Sequence, residues 1–261
     1  MTSTKTVIEM KNVSKYFGAV KALENVSLQL YSQEILGLVG DNAAGKSTLL
    51  KILSGVHLPN KGQIFVEGKD AEIRCPMDAR RVGIETVYQD FMLAPNLDIV
   101  ANIFLGRELT RWGRMEKLHK KQMEKKAAEI LKDLNADLGP LSNLVMSLSG
   151  GQQQLVAIAR ALLYSPKVIL MDEPTASLSV RAIEPFLELV KNLKAKGCSI
   201  IYVSHRLPDV LEISDRIVVL RAGQLVAEKM KDSTSLEEVV YFMMGIENQG
   251  KRKISQETIH G

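Results

Sequence analysis

Nine consecutive residues, Gly40-Asp41-Asn42-Ala43-Ala44-Gly45-Lys46-Ser47-Thr48, constrain this chain more than any other stretch. They satisfy the pattern G-x-x-x-x-G-K-[ST], and their surroundings suit it: the apolar run Ile35 to Val39 leads in and the helical run Leu49 to Leu53 leads out. A run as apolar as Ile35 to Val39 reads as a strand buried on both faces. Glycines at such a strand-to-helix junction let the backbone curl round a polyphosphate, with N–H groups and the helix N-terminus aimed at the anion. In this geometry Lys46 reaches the β and γ phosphates and the Ser47 hydroxyl holds Mg²⁺.

Similar apolar runs recur at Val168 to Met171, Ile200 to Val203 and Ile217 to Leu220, and stretches of helical spacing such as Ala182 to Ala195 lie between them. Alternation of this kind implies an α/β fold with a parallel sheet. The first segments differ. Ile8 to Val13, and Val26, Leu28 and Leu30 alternating with Ser27 and Gln29, have the two-residue period of antiparallel strands with one exposed face. Between about Asp90 and Pro166 the buried-strand pattern stops, and Met115, Leu118, Ile130, Leu131 and Leu134 punctuate a lysine-rich stretch read as an inserted helical subdomain. Its lysines, at 117, 120, 121, 125 and 126, alternate with Glu116, Glu124 and Glu129, as on a solvated helix face.

A metal site needs an acidic end. The run Val168 to Met171 carries Asp172 to its C-terminal tip, where α/β sheets bind ligands. Asp172 is expected to orient Mg²⁺ through water. Strand alternation would point the adjacent Glu173 elsewhere, which makes it the candidate general base for an attacking water.

Leu148-Ser149-Gly150-Gly151-Gln152 resembles the LSGGQ motif of the ATP-binding-cassette ATPases. Gly150 and Gly151 would expose backbone amides at the start of a helix beginning near Gln152, with Ser149 as a further donor. The resemblance extends over roughly residues 7–245. It implies a RecA-like P-loop NTPase core with an antiparallel β subdomain and an inserted α-helical subdomain. Residues 1–245 would form one ATPase domain, with core and β subdomain at about 1–89 and 165–245, the helical subdomain at about 90–164, and a flexible tail at 246–261. It also implies ATP and Mg²⁺ as ligands. Within the family the LSGGQ motif reaches across a dimer to the γ-phosphate bound by the partner.

By the same resemblance, Gln89 in Val87-Tyr88-Gln89-Asp90 touches Mg²⁺ and senses the membrane partner, and His205 in Tyr202-Val203-Ser204-His205 contacts the γ-phosphate. Phe17 corresponds to the aromatic that stacks on adenine, with Tyr16 as a competitor and core packing as the alternative role. Two positions depart from the pattern. Ala43 stands where many cassettes have glycine, and a positive φ there would cost about 1–2 kcal/mol. Ser179 replaces the usual aspartate of the loop after the Asp-Glu pair, which bears on coupling across the dimer.

The stretches Gly83 to Asp90, Leu93 to Leu97 and Asn102 to Gly106 are similar to those of monosaccharide importers of the ribose, xylose and fructose type. Many of these fuse two cassettes. A chain with one set of motifs is expected to act as a homodimer with transmembrane permease subunits and, through them, a sugar-binding protein. It would lie peripherally on the cytoplasmic face of the inner membrane. Composition agrees. Lys+Arg 34 against Asp+Glu 30, a net charge of +4 spread along the chain, leaves no footprint calling for nucleic acid. Cys75 and Cys198 form no disulfide framework or zinc spacing, as in a reducing compartment. Met1 to Val7 does not read as a secretory signal. The alternatives are a soluble cassette ATPase acting on nucleic acid or ribosomes, and a non-hydrolysing switch. The first usually carries two cassettes or a long coiled-coil insertion. Against the second, Lys46, Asp172, Glu173 and His205 are all present.

Overall fold

The computed structural model describes residues 5–111 and 117–246. Met115 and Glu116 of the lysine-rich stretch and the tail at 248–261 lie outside the described residues.

The apolar runs form the central sheet. Strands β3 (Ile35–Val39), β6 (Ile84–Val87), β9 (Val168–Asp172), β10 (Ser199–Val203), β11 (Arg216–Arg221) and β12 (Gln224–Met230) stand in the order β12-β11-β3-β10-β9-β6. All neighbours are parallel except β12, which returns antiparallel along β11. Every residue of β3 and β10 is buried, as their unbroken hydrophobicity requires.

A second, antiparallel sheet has the order β2-β1-β4-β5, from β1 (Thr6–Phe17), β2 (Val20–Tyr31), β4 (Lys61–Val66) and β5 (Lys69–Asp70). Met10 pairs with Leu28, and these two turn inward together with Ile8 and Leu30. Their partners across the core are Leu36 and Leu38 of β3 and Leu49 and Ile52 of helix α1 (Lys46–Leu53). Hence α1 is sandwiched between the two sheets. Helix α2 (Pro76–Arg81) follows β5 and leads into β6.

The opposite face of the central sheet, with Ile35, Val39, Ile169, Met171, Ile200 and Tyr202, is covered by a larger helical layer. That layer contains α5 (Gly150–Leu162), α6 (Val180–Ala195) and α7 (Leu207–Ile213), with α3 (Ile99–Phe104) and α4 (Lys120–Asp133) packed beyond α5. Helix α8 (Leu236–Met244) lies against β11, and a short pair, β7 (Thr110–Arg111) with β8 (Lys117–Leu118), precedes α4. A Cβ on Gly37 would stand 2.5 Å from Val210 Cγ1 and from Ser214 Oγ, so glycine in β3 is what lets α7 approach. Helix α4 buries Met123, Ala127 and Leu131 and leaves Lys120, Lys121 and Lys125 in solvent, the pattern expected of a solvated basic face. No described helix is long and apolar enough to cross a membrane.

Buried polar groups fasten the segment between β6 and β9 to the sheet. Arg107 Nη2 donates to Glu85 Oε2 of β6 at 2.9 Å, and Arg107 Nη1 donates to the Arg160 carbonyl of α5 at 3.1 Å. Asn102, fully buried, accepts from Ala94 N–H at 2.7 Å and donates to the carbonyls of Ala94, Leu97 and Asp98. One side chain thereby folds the loop that leads into α3.

Candidate nucleotide site

Strand register brings the candidate residues to one edge of the sheet. Leu38 is level with Val203, Val203 with Asp172, and Met171 with Val87. The segments leaving β3, β10, β9 and β6 therefore emerge side by side at their carboxyl ends, carrying Gly40, His205, Glu173 and Gln89.

The loop after β3 is built for close backbone approach. A Cβ on Gly40 would lie 2.2 Å from the Leu220 carbonyl, and one on Gly45, which has φ 107°, would lie 2.6 Å from that of Ala22. Ala43 adopts φ 64°, so the left-handed conformation feared for a residue with a Cβ is the one found. Asp41, Asn42 and Ala43 are exposed, whereas Ala44, Gly45 and Lys46 are buried. Lys46 Nζ donates to the carbonyls of Gly40 at 2.7 Å and Asp41 at 3.0 Å, holding the loop closed on itself. Burial pushes the Lys46 pKa down, against the opposing pull of Glu173, Asp172 and Asp41. Helix α1 begins at Lys46 itself, with Ser47 exposed and Thr48 half-buried in its first turn.

Asp172 ends β9. Burial raises its carboxyl above the ordinary range, opposed by the Ser47 hydroxyl and by Lys51 and Lys46. Glu173 diverges from Asp172 for a reason other than strand alternation. The strand stops at Asp172, and Glu173 takes a left-handed backbone, φ 49°. Its N–H donates to the Val203 carbonyl at 3.0 Å, and its Oε2 accepts from the His205 N–H at 3.1 Å. His205 Nε2 stands 3.2 Å from Glu173 Oε1, although this oxygen is buried without a hydrogen bond. Burial raises the Glu173 carboxyl too, and Asp172 adds to the shift while His205 and Lys46 oppose it.

The other candidates flank this edge. Helix α5 starts at Gly150, two residues before the expected position, because Ser149 caps it: its Oγ accepts from Gln152 N–H at 3.4 Å, and Gln152 Oε1 accepts from Ser149 N–H at 3.0 Å. The Ser149 hydroxyl is thus already engaged, and the N–H groups of Gly150 and Gly151 open the helix. Gly150 packs on the loop after Glu173, where a Cβ would meet the Ser177 carbonyl at 3.3 Å. Gln89 is exposed in the turn after β6. Phe17 is 44% exposed at the end of β1, edge-on to His57, so core packing is not its role; Tyr16 is half-buried.

The sequence profile of the ABC transporter family matches residues 23–176, more than half of the chain. The chain belongs to the ABC transporter family. ATP binding and ATP hydrolysis come with that membership. Among its relatives, the xylose/arabinose import ATP-binding protein of Sulfolobus acidocaldarius is 44% identical over 251 residues, covering 95% of this chain and 99% of the relative. The ribose import ATP-binding protein of Yersinia pestis bv. Antiqua (strain Antiqua) is 44% identical over 239 residues, 92% of this chain but 46% of the relative. The chain thus spans about half the length of that ribose relative. A nucleotide-free ATP-binding cassette from an ABC transporter superposes with a TM-score of 0.78 at 29% identity, covering 92% of this chain and 95% of that one. A bacterial ABC transporter cassette with a dimeric structure gives 0.72 at 30% identity, covering 86% and 98%.

Three buried residues of this ABC transporter ATPase escape the sequence reading. Asp209 Oδ2 accepts from Thr175 Oγ1 at 3.1 Å and from Arg206 Nε at 2.9 Å. Gln154 Nε2 donates to the Pro174 carbonyl at 2.5 Å. The Thr175–Asp209 and Gln154–Pro174 contacts join segments 34 and 20 residues apart, whereas Arg206 and Asp209 are three residues apart at the start of α7. Ser179, the second departure, stands exposed at the N-cap of α6 without a side-chain cap bond.

Proposed function

We propose that this chain powers the import of a monosaccharide. Two copies would bind two Mg·ATP between them and close on each other, driving permease subunits that receive the sugar from a binding protein at the outer face. The cassettes would sit on the cytoplasmic face of the membrane. The observation that carries the ATPase reading is the convergence of Lys46, Asp172, Glu173 and His205 on one sheet edge. The sugar class is supported by the names of the relatives, above all the xylose/arabinose protein matched over its full length.

In this reading residues 1–245 work as one unit, with the segment at about 90–164 as its helical subdomain. Gly40 to Thr48 wrap the phosphates with main-chain N–H groups, and Lys46 exchanges its loop carbonyls for phosphate oxygens. Phe17 stacks on the adenine. Asp172 Oδ1 is buried without a hydrogen-bond partner beside the exposed Ser47, a donor pair that suits Mg²⁺. Ser47, Asp172 and Gln89 would hold that ion, which supplies charge neutralisation on the phosphates when bound. Glu173 takes the proton of the attacking water, a task suited to a carboxylate whose basicity burial has raised. His205 contacts the γ-phosphate, and the Ser149, Gly150, Gly151 and Gln152 end of α5 addresses the nucleotide held by the partner copy.

The test is reconstitution in proteoliposomes with the permease and binding protein that co-purify with the chain. ATP-driven uptake of labelled xylose, arabinose, ribose or fructose is the expected result. ATPase activity stimulated by RNA or ribosomes, with no sugar uptake, would favour the soluble alternative instead.

A further inference from the structure

Glu173 has a strained backbone and a carboxylate that must face a water, so something has to fix it. The segment behind it, Pro174 and Thr175, is held from two sides by buried polar side chains. Gln154 of α5, 1% exposed, takes the Pro174 carbonyl. Asp209 of α7, 4% exposed, takes the Thr175 hydroxyl, itself 2% exposed.

Asp209 does more than anchor Thr175. The same oxygen, Oδ2, accepts from Arg206 Nε, and Arg206 is the neighbour of His205. The Arg206 N–H in turn donates to Ser204 Oγ, while Asp209 N–H and Val210 N–H both donate to the Arg206 carbonyl. One carboxylate oxygen therefore joins the loop that carries Glu173 to the loop that carries His205, immediately behind the point where those two residues meet. A buried carboxylate accepting two hydrogen bonds, one from a guanidinium, is a stiff junction.

We propose that Asp209, acting through Thr175 and Arg206, is a positioning residue for hydrolysis: it sets the separation of Glu173 and His205 and has no contact with nucleotide. The inference rests on the reading of Glu173 as the base. A positioning role predicts that loss of the junction slows the chemical step and leaves the phosphate loop intact. It also predicts that the two partners fail as a unit, because either loss opens the same joint.

The experiment measures steady-state ATP hydrolysis by the full chain carrying Asp209→Leu, Thr175→Val, Thr175→Ser, the Asp209→Leu/Thr175→Val double substitution, or Glu173→Gln. The expected result is a fall in kcat of about tenfold or more for Asp209→Leu and Thr175→Val, with KM for ATP within about twofold of the unmodified chain. Thr175→Ser keeps the hydroxyl and should restore most of kcat. The double variant should be no slower than the worse single. Unchanged kcat in Asp209→Leu and Thr175→Val, alongside an inactive Glu173→Gln, would overturn the positioning role alone. So would a rise in KM matching the fall in kcat, or a Thr175→Ser variant as slow as Thr175→Val, since either marks general loosening. Full activity of Glu173→Gln would instead remove the base assignment and the inference with it.

Discussion

The main-chain N–H of His205 donates to Glu173 Oε2 at 3.1 Å, while its ring Nε2 stands 3.2 Å from Glu173 Oε1. Two loops from neighbouring parallel strands thus meet on one carboxylate. The meeting depends on φ 49° at Glu173, since an extended residue there would continue β9 instead of turning toward β10. Such a backbone persists in a non-glycine residue only where its surroundings hold it, and the bond from Glu173 N–H to the Val203 carbonyl is one of those supports.

Substituting Glu173→Gln keeps shape and removes the carboxylate proposed as the base. Hydrolysis should fall by about 10²- to 10⁴-fold while Mg·ATP still binds, and the loss of a negative charge near the γ-phosphate should favour the ATP-loaded dimer. Steady-state hydrolysis and size exclusion with ATP and Mg²⁺ check both. Wild-type turnover would place the base elsewhere, with His205 the next residue to test.

The same substitution has a pH signature. Burial raises the Glu173 carboxyl, so the folded chain holds that proton more tightly than the unfolded one. Stability contributed by the protonated form is present at low pH and lost as pH rises from the ordinary carboxylate range through the raised folded value. Glutamine has no such loss. In the absence of nucleotide Glu173→Gln should melt at a higher temperature than the unmodified chain near neutral pH, with the difference closing in acid; thermal denaturation from about pH 4 to pH 8 reads it.

Lys46→Ala removes the cation that now bridges the Gly40 and Asp41 carbonyls. A charge-assisted contact of about 1.5–3 kcal/mol implies at least a tenfold loss of ATP affinity, with hydrolysis falling too. Calorimetry decides it, and near-normal affinity would remove the phosphate-loop assignment.

The parallel sheet was legible because β3, β9 and β10 are buried on both faces, so apolar runs marked them directly. The shorter β6 was not, since Glu85 stands buried within it through its pairing with Arg107, 22 residues away, and more loosely with Arg80. The strand-to-helix junction at Gly40 to Lys46 and the place of Asp172 at the tip of β9 were legible from local pattern, yet the turn that separates Glu173 from Asp172 was not. Alternation along a strand says nothing about where the strand ends. Thr175, Asp209 and Gln154 stayed hidden for a related reason: each looks like an ordinary polar residue until tertiary structure brings its partner.

Away from the site, Arg216 of β11 is buried between the sheets with two bonds to Glu34, from Nε at 2.8 Å and Nη2 at 2.9 Å, and a third to the Gln29 carbonyl of β2. Glu34 is itself buried, 7% exposed, and Arg216→Met would leave it without its guanidinium, with the Tyr31 N–H at 2.8 Å as its remaining donor. That variant should lose about 3–5 kcal/mol in urea denaturation. Adding Glu34→Gln should recover part of the loss, because the uncompensated charge goes with it. A loss below about 1 kcal/mol would mean that water reaches Glu34.

The proposed dimer can be tested with two different lesions. At Gly151 an added Cβ would meet only Leu178 Cδ2 at 3.8 Å and Ala182 Cβ at 4.0 Å, ordinary contact distances, so Gly151→Asp fits the fold. Its charge lies in the first turn of α5, where the helix dipole favours an anion by about 0.3–1 kcal/mol, so the separate chain should be no less stable. A phosphate arriving from a partner copy would meet that charge and be repelled. Lys46→Ala chains and Gly151→Asp chains should each fail alone. Mixed, they should form heterodimers in which Lys46 of one copy faces Gly151 of the other, leaving one intact composite site and one site with both lesions. Partial recovery of hydrolysis, together with one nucleotide retained per ATP-dependent heterodimer, is the expected result. Full turnover by a strictly monomeric Gly151→Asp chain would show that each copy completes its own site.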